Sequence, residues 1–255
     1  MATALVTGAS AGLGEEFAWQ LATAGHNLVV TARSRDRLSE LADVVASATG
    51  VSVEVLPADL ATEDGRRAVA DRVADADKPV SLLVNNAGFG LGKDFTQTSW
   101  EDEKALLDVL VTAPLQLTHA ALPGMVARGH GAILNVSSVA AHLSNSTYSA
   151  HKRWVVEFTE AIAGQLKGTG VTATAVLPGL TRTEFHDHPG LEAMKDRYSE
   201  LAWLSAEEVV ASALAAVRRG AVTVTPTVRY AAVGALARLA PASATRRLRS
   251  RRSPI

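Results

Sequence analysis

The stretch Thr7-Gly8-Ala9-Ser10-Ala11-Gly12-Leu13-Gly14 decides the fold of this chain. A short run of apolar and β-branched residues, Ala4–Thr7, leads into it, and a helical pattern, Glu15–Ala24, follows it. Glycines between a strand and a helix allow a tight turn and let backbone N–H groups approach a pyrophosphate, whose charge the helix N-terminus favours. Because glycine-rich turns also occur for conformational reasons alone, the prediction of a dinucleotide site depends on the flanking strand and helix.

Outward from this loop, short β-branched runs alternate with longer helical patterns. Several runs are almost continuously apolar, which indicates strands buried on both faces in a parallel sheet. The alternation predicts an α/β fold, a single doubly wound domain of about seven parallel strands flanked by helices. The predicted strands are Ala4–Thr7, Asn27–Thr31, Ser52–Leu56, Leu82–Val84, Ala132–Val136, Val171–Val176 and Ala221–Thr225. The predicted helices are Glu15–Ala24, Arg35–Thr49, Glu63–Ala76, Trp100–Arg128, Ser149–Gly168 and Ala206–Arg219.

Local signals refine two of these helices. Ser205 with Glu208 three residues later predicts a capping box at the start of the last helix. Pro114 is expected to bend the long fourth helix, and Pro123-Gly124 to break it a second time.

The composition excludes several classes of function. The chain has 255 residues, 47% hydrophobic and 20% charged, which is ordinary for a globular protein. With no Cys, disulfides, thiolate metal sites and a cysteine nucleophile are excluded, so redox chemistry would need a bound cofactor. A net charge of −1 provides no electrostatic attraction for nucleic acid. The apolar segment Ala221–Ala240 is interrupted by Pro226, Arg229 and Arg238, so no transmembrane span is predicted.

The end of the second strand indicates which dinucleotide binds. About 20 residues after the glycine loop an acidic side chain would bond the ribose 2′-hydroxyl of NAD. Here the positions read Ala32-Arg33-Ser34, which offer space, a guanidinium and a hydroxyl to a 2′-phosphate. We therefore predict NADP(H); the alternative is a solvated arginine at a helix start.

Three polar residues after the fifth strand suggest proton transfer. Ser138 ends the run Asn135-Val136-Ser137-Ser138, and Tyr148 and Lys152 follow four residues apart. On a helix that spacing places both side chains on one face. A nearby ammonium is expected to lower the pKa of the phenol from about 10 towards neutrality, which makes the tyrosine a proton donor and acceptor.

These residues together resemble the short-chain dehydrogenase/reductase family, over nearly the whole chain. The glycine loop is similar to its TGxxxGxG motif, Asn85-Asn86-Ala87-Gly88 to its NNAG motif, and Tyr148 to Lys152 to its YxxxK motif. The resemblance implies a Rossmann-type fold and hydride transfer between NADP and a carbonyl or alcohol. Catalytic roles are implied for Ser138, Tyr148 and Lys152, and cofactor-binding roles for Thr7, Gly8, Ser10, Gly12, Leu13, Gly14, Arg33, Ser34, Asp59, Leu60, Asn86, Ala87, Gly88, Tyr148, Lys152, Pro178, Gly179, Thr181 and Thr183.

Two departures from the family pattern qualify this prediction. Leu110 stands where the family has an asparagine that fixes a water in a proton relay, and leucine forms no hydrogen bond, so catalysis is expected to be slow or altered. The alternative is a catalytically weak NADP-binding protein with a regulatory or interaction role. The loop Val139–Thr147 is shorter than usual and is expected either to shift Ser138 and line an altered pocket or to be a structural contraction.

Other residues are assigned to the substrate end of the site. We expect an altered pocket to be lined by His142, Ser144, Asn145 and Ser146, and an apolar cleft by Phe89, Leu91, Phe185, Tyr198 and Trp203, with core packing as the alternative. His151 is expected to point away from the Tyr148 and Lys152 face. Phe185-His186-Asp187-His188 is read as part of a substrate lid, and no metal site is predicted.

The organisation of the whole chain follows. We predict one NADP-binding catalytic domain over residues 1–240 and a basic, flexible tail over 241–255, with an anionic partner for the tail as the alternative. The residues before the glycine loop are too few for a signal peptide, so we expect a cytoplasmic protein. The resemblance also implies a homodimer or homotetramer formed through Trp100–Arg128 and Ser149–Gly168, and a small-molecule carbonyl or alcohol as substrate.

Overall fold

A computed structural model describes residues 2–143, 146–184 and 199–232 of the chain. Seven strands form one sheet in the order β3-β2-β1-β4-β5-β6-β7, with every neighbouring pair parallel. This confirms the predicted α/β fold. The strands are β1 (Thr3–Thr7), β2 (Asn27–Thr31), β3 (Val53–Val55), β4 (Leu82–Asn85), β5 (Gly131–Val136), β6 (Val171–Val176) and β7 (Thr223–Val224).

Helices connect the strands and cover both faces of the sheet. They are α1 (Gly12–Thr23), α2 (Arg35–Thr49), α3 (Glu63–Ala74), α4 (Trp100–Leu107), α5 (Ala113–Arg128), α6 (Thr147–Gln165) and α7 (Ala206–Arg218). Short 3₁₀ turns lie at Phe95–Gln97, Val139–His142 and Glu200–Ala202. The predicted capping box at Ser205 and Glu208 opens α7, and a second one at Ser146 and Ser149 opens α6.

Successive apolar side chains of a strand pack into two different hydrophobic clusters, one on each face of the sheet. Val6 joins one cluster with Phe17 of α1 and Val210 of α7, whereas the adjacent Leu5 joins the other cluster with Leu117 of α5. Successive side chains of a strand point to opposite faces, so continuously apolar strands are required where helices cover both sides. The core therefore lies on both faces of the sheet and leaves the carboxyl ends of the strands free.

The long fourth helix differs from its prediction. Residues 100–128 form α4, a π-helical turn at Asp108–Thr112, and then α5, which has Pro114 in its first turn. A proline is tolerated there because the first N–H groups of a helix lack intrahelical partners. The expected second break at Pro123 is wrong: α5 continues to Arg128. Pro123 and His119 are both exposed, so water can satisfy the carbonyl that the proline leaves unbonded.

This helical region is also the one candidate for a membrane span among the described residues. Trp100–Arg128 is long and apolar enough by length and composition alone, and half of its most apolar window is buried inside the protein. Leu106, Leu110, Leu117 and Met125 along it are all almost completely buried. The core helix of a soluble protein passes the same test, so this is weak evidence for a membrane span.

Candidate active site

A large cavity opens at the carboxyl ends of the strands, where ligands bind in open α/β sheets. Its volume is about 1630 Å³. The loops after β1, β2, β4, β5 and β6 all contribute to it. Of the residues assigned above to cofactor or catalysis, the following line it: Gly8, Ser10, Gly12, Leu13, Arg33, Ser34, Asp59, Leu60, Asn86, Ala87, Gly88, Ser138, Tyr148, Lys152, Pro178, Gly179, Thr181 and Thr183.

The glycine loop is closely packed against its surroundings. Gly8 has a φ of +67°, and a Cβ there would lie 2.8 Å from Ala87 Cα. A Cβ on Gly14 would lie 2.0 Å from the carbonyl oxygen of Gly8, so this position also requires glycine. Helix α1 begins at Gly12, three residues earlier than predicted, and no side chain caps it. The helix N-terminus thus meets the cavity through backbone alone, which suits an anionic group.

Thr7 braces this loop instead of facing the cavity. Its hydroxyl accepts hydrogen bonds from Asn86 N at 2.9 Å and Ala87 N at 3.0 Å, and donates to Val84 O at 3.3 Å. The Asn86 side-chain amide donates in return to Thr7 O at 2.9 Å. These bonds join the ends of β1 and β4. Thr7 and Gly14 therefore support the cavity from behind its described lining.

The second strand and the start of α2 place two guanidinium groups at one end of the cavity. Arg33 and Arg37 both line it and both are exposed. Ser34 caps α2 by accepting from Arg37 N at 3.4 Å, and Arg37 pairs with Glu184 at 3.1 Å. Arg37 was not predicted, although its spacing of four residues from Arg33 is the signal that could have found it.

Ser138, Tyr148 and Lys152 come together in the lining of the cavity. The Ser138 hydroxyl accepts from Ala140 N at 3.1 Å and is hydrogen-bonded to the Tyr148 phenol. Lys152 Nζ lies 5.6 Å from the centroid of the Tyr148 ring and donates to Val136 O at 2.7 Å. The short loop after Ser138 therefore leaves the serine beside the tyrosine.

Burial sets the protonation of this group. It raises the pKa of Tyr148 to about 12, opposed by the smaller effect of the Ser138 hydrogen bond, and it lowers the pKa of Lys152 to about 8. The expected lowering of the tyrosine pKa is thus wrong in this structure. The ammonium lies over the aromatic ring and donates to a backbone carbonyl, and loss of hydration is the largest effect on the pKa of the phenol. At neutral pH the phenol keeps its proton.

Leu110 adds to the apolar surroundings of Lys152. It is buried in the π-helical turn, and a Cβ placed on Gly88 would lie 2.9 Å from Leu110 Cδ2 and 3.6 Å from Lys152 Nζ. Leucine and ammonium therefore face the same small space. A side chain that can neither donate nor accept a hydrogen bond stands where the relay amide was expected.

A buried polar chain behind the site was not predicted. Asn85 Nδ2 donates to Asn135 Oδ1 at 2.8 Å, and Asn135 Nδ2 donates to Thr159 Oγ1 at 2.9 Å. The hydroxyl of Ser137 donates to Lys152 O at 2.7 Å. These bonds fasten α6 to β4 and β5, and with it the tyrosine and lysine. The sequence feature that could have predicted this polar chain is the pair of asparagines near the ends of two otherwise apolar strands.

The remaining lining is mostly apolar. Phe89, Leu91 and Ser146 line the cavity as expected, whereas the described lining does not include His142 or Trp203. Ser144, Asn145, Phe185, His186, Asp187, His188 and Tyr198 lie outside the described residues, as do the tail and the final part of the predicted domain.

His151 is half-buried and outside the described cavity lining. Burial lowers its pKa, with Glu103 and Lys152 exerting smaller and opposite effects. Its Nδ1 has no hydrogen-bond partner among the described residues.

Two lining residues come from the far end of the described chain. Arg229 and Tyr230 line the cavity, and neither was predicted as a site residue. The Tyr230 ring packs on Gly179, where a Cβ would lie 2.3 Å from the ring. No local motif marks these positions, because only the fold brings residue 230 to residue 179.

Comparison with known proteins agrees with this geometry. A family model described as short chain dehydrogenase matches residues 2–190. The chain is 37% identical over 186 residues to sulfoacetaldehyde reductase 2 of Chromohalobacter salexigens, an alignment that covers 71% of this chain and 73% of that protein.

Solved structures extend the likeness to the whole fold. A short-chain dehydrogenase from Sphingobium yanoikuyae in complex with NADPH is 32% identical, with a TM-score of 0.85 over 92% of this chain and 93% of that one. A short chain dehydrogenase/reductase from Burkholderia phymatum in complex with NAD is 25% identical, with a TM-score of 0.82 over 92% of each chain. Relatives of this fold therefore hold one or the other dinucleotide.

Proposed function

The chain belongs to the short-chain dehydrogenase family, and from that premise we propose that it is an NADP(H)-dependent oxidoreductase that transfers hydride between the nicotinamide and a carbonyl or alcohol. The observation that carries the proposal is the meeting of Ser138, Tyr148 and Lys152 in the cavity that the glycine loop also lines. Tyr148 holds its proton at neutral pH and can therefore donate it to a carbonyl oxygen during reduction.

The residues present fit a dinucleotide. Side chains are excluded at Gly8 and Gly14, and the uncapped start of α1 lines the cavity, as a pyrophosphate requires. The pyrophosphate would lie on Gly8 to Leu13, the adenosine near Asp59 and Leu60, and the nicotinamide near Pro178 to Thr183. When bound, the cofactor supplies the hydride.

The chain's own residues supply the proton. Tyr148 donates the phenol proton to the carbonyl oxygen, and Ser138 holds that oxygen by a hydrogen bond. Lys152 would hold the nicotinamide ribose, and its positive charge favours the phenolate that forms. Its bond to Val136 O keeps the ammonium in place beneath the tyrosine.

The two guanidinium groups support NADP over NAD. Arg33 and Arg37 stand after the end of β2 and in the first turn of α2, and the positions that directly follow β2, Ala32 to Ser34, carry no acidic side chain. A planar guanidinium matches phosphate oxygens in a bidentate geometry. The basic residue that some family members carry in the glycine loop is replaced by Ala11, and Arg37, which pairs with Glu184 at 3.1 Å, offers a second guanidinium.

The apolar lining supports a hydrophobic carbonyl compound as substrate. Phe89, Leu91 and Leu143, from two loops, line the cavity that Ser138, Tyr148 and Lys152 also line. Apolar pockets with a few convergent polar groups are typical of small-molecule sites.

A cytoplasmic location and a homodimer or homotetramer stay predictions.

Titration with NADPH and with NADH, followed by cofactor fluorescence, tests the cofactor assignment first. We expect much tighter binding of NADPH, and oxidation of NADPH in a panel of hydrophobic aldehydes and ketones. Equal binding of both cofactors would refute the role of the arginines. Binding of neither would refute the proposed function as a whole.

Leu110 favours a second candidate, a catalytically weak NADP-binding protein whose occupancy controls association with a partner. Leu110→Asn restores an amide beside Lys152 and separates the two candidates, with Leu106→Asn, equally buried one turn earlier, as a control for polarity in the helix. A rise in turnover of roughly 10²-fold or more would favour the weak protein, since a positioned proton-transfer group contributes on that scale. Equal turnover of wild type and Leu110→Asn would remove the reason to consider a catalytically weak protein.

A further inference from the structure

We propose that Tyr230 is a positioning residue that sets the conformation of the segment Pro178–Thr183, and through it the affinity for the nicotinamide half of the cofactor. This rests on the proposed function. Tyr230 lies beyond residues 2–190, which the family model matches, so it belongs to the part of the chain that the family pattern does not describe.

The segment after β6 forms a short parallel ladder with the residues before α7. Leu204 N donates to Leu180 O at 2.9 Å, and Arg182 N donates to Leu204 O at 2.9 Å. In a parallel ladder the preceding bond would run from Leu180 N to Ala202 O. That bond is not direct.

The hydroxyl of Tyr230 occupies the place of this missing bond. Leu180 N donates to Tyr230 Oη at 3.2 Å, and the same hydroxyl donates to Ala202 O at 2.6 Å. One side chain thus satisfies a backbone donor and a backbone acceptor that a regular parallel ladder would join directly. It acts as a spacer that sets how far apart the two segments lie.

The ring of Tyr230 completes the contact from the cavity side. The ring covers Gly179 so closely that no larger residue fits there. The guanidinium of Arg229 lies 5.6 Å from the centroid of the Tyr230 ring. Gly179, Leu180, Ala202 and Tyr230 all line the cavity. A change in the spacing of these segments is therefore transmitted to the wall where the nicotinamide amide would bind.

The conservative variant Tyr230→Phe removes the hydroxyl and keeps the ring on Gly179. Leu180 N and Ala202 O then lose their shared partner. Because one unpaired backbone group costs roughly as much as a tenfold change in an equilibrium constant, we expect NADPH to bind about five- to tenfold more weakly. The two hydrogen bonds of the Tyr230 hydroxyl involve neither the glycine loop nor Arg33, and Thr183 is the residue of the segment that lies next to Gly12.

The experiment compares two ligands by calorimetry or fluorescence. NADPH would span the cavity, whereas adenosine 2′,5′-bisphosphate would reach only the part formed by the glycine loop, Arg33 and Arg37. In Tyr230→Phe we expect the loss for NADPH and an affinity for the bisphosphate within about twofold of wild type. Val228→Ala is the control, since this side chain lies in the same segment and is 87% exposed; it should leave both affinities unchanged.

The possible outcomes separate the proposals. Equal weakening of both ligands would show general destabilisation and overturn the positioning role, and unchanged NADPH affinity would overturn it as well. Tyr230→Ala, which also removes the ring, should weaken NADPH further while the bisphosphate still binds. If wild type binds neither ligand, the proposed function fails before the role of Tyr230 is reached.

Discussion

Replacement of Lys152 by Met should stabilise the protein at neutral pH while it removes activity. Burial lowers the pKa of Lys152 from its ordinary 10.5 to about 8. Each pKa unit corresponds to about 1.36 kcal/mol, so keeping this ammonium charged in the folded state costs about 3 kcal/mol. Methionine has a similar length and shape and carries no charge.

The sign of the pH dependence follows from linkage. Between the two pKa values the unfolded state binds more protons at this lysine than the native state does, so its contribution to stability rises with pH. The destabilisation is complete below about pH 8 and gone above about pH 10.5. The free energy of unfolding gained by the variant should therefore be largest at pH 7 and should shrink by about 2 to 3 kcal/mol by pH 10.

This difference between two pH values isolates the charge. Lys152→Met also loses the bond to Val136 O and leaves that carbonyl without its partner, at a cost of about 1–3 kcal/mol that does not depend on pH. That term cancels when the gain at pH 7 is compared with the gain at pH 10. The absolute gain at pH 7 is accordingly smaller than the full cost of the charge.

Denaturant unfolding followed by the fluorescence of the four tryptophans measures the free energies. Lys167→Met is the matched control, because Lys167 is exposed at the end of the same helix region; its effect should stay within about 0.5 kcal/mol at each pH. A gain for Lys152→Met that is the same at pH 7 and at pH 10 would refute the reasoning.

Two further changes test the chemistry and the cofactor. Tyr148→Phe removes the proton donor and should lower turnover by about 10²-fold or more, with NADPH affinity within about twofold of wild type; retained turnover would exclude the role assigned to Tyr148. Arg33→Ala should weaken NADPH by about three- to tenfold and leave NADH unaffected, because the exposed guanidinium is partly screened by water. Arg35→Ala, an exposed arginine outside the described cavity lining, is its control, and equal effects of the two variants would refute a specific contact.

The fold could be predicted because local and global signals agree. Continuously apolar runs such as Leu82–Val84 are typical of a strand covered on both faces, and the glycines fix where β1 turns into α1. Pro123 shows the limit of such signals. A proline predicts a break only when the freed carbonyl has no other partner, and whether it faces water depends on the tertiary structure.

The site was predictable where it depends on spacing and not where it depends on distant chain segments. The interval from Tyr148 to Lys152 is a local property of one helix, so both side chains lie on one face as expected. Tyr230 contacts Gly179 only once β6, α7 and β7 are folded, and no periodic pattern in the sequence predicts that contact. Long-range contacts of this kind require the folded structure.

The tyrosine pKa shows how the same limit affects function. Spacing correctly places an ammonium near Tyr148, but the sign of the pKa shift depends on how much water the fold removes from both groups. Leu110 is buried beside Lys152 and is one of the apolar residues that exclude water from this lysine. Loss of hydration disfavours phenolate and ammonium alike, which keeps the phenol protonated at neutral pH. A phenol that holds its proton at neutral pH can serve as the proton donor when a carbonyl is reduced.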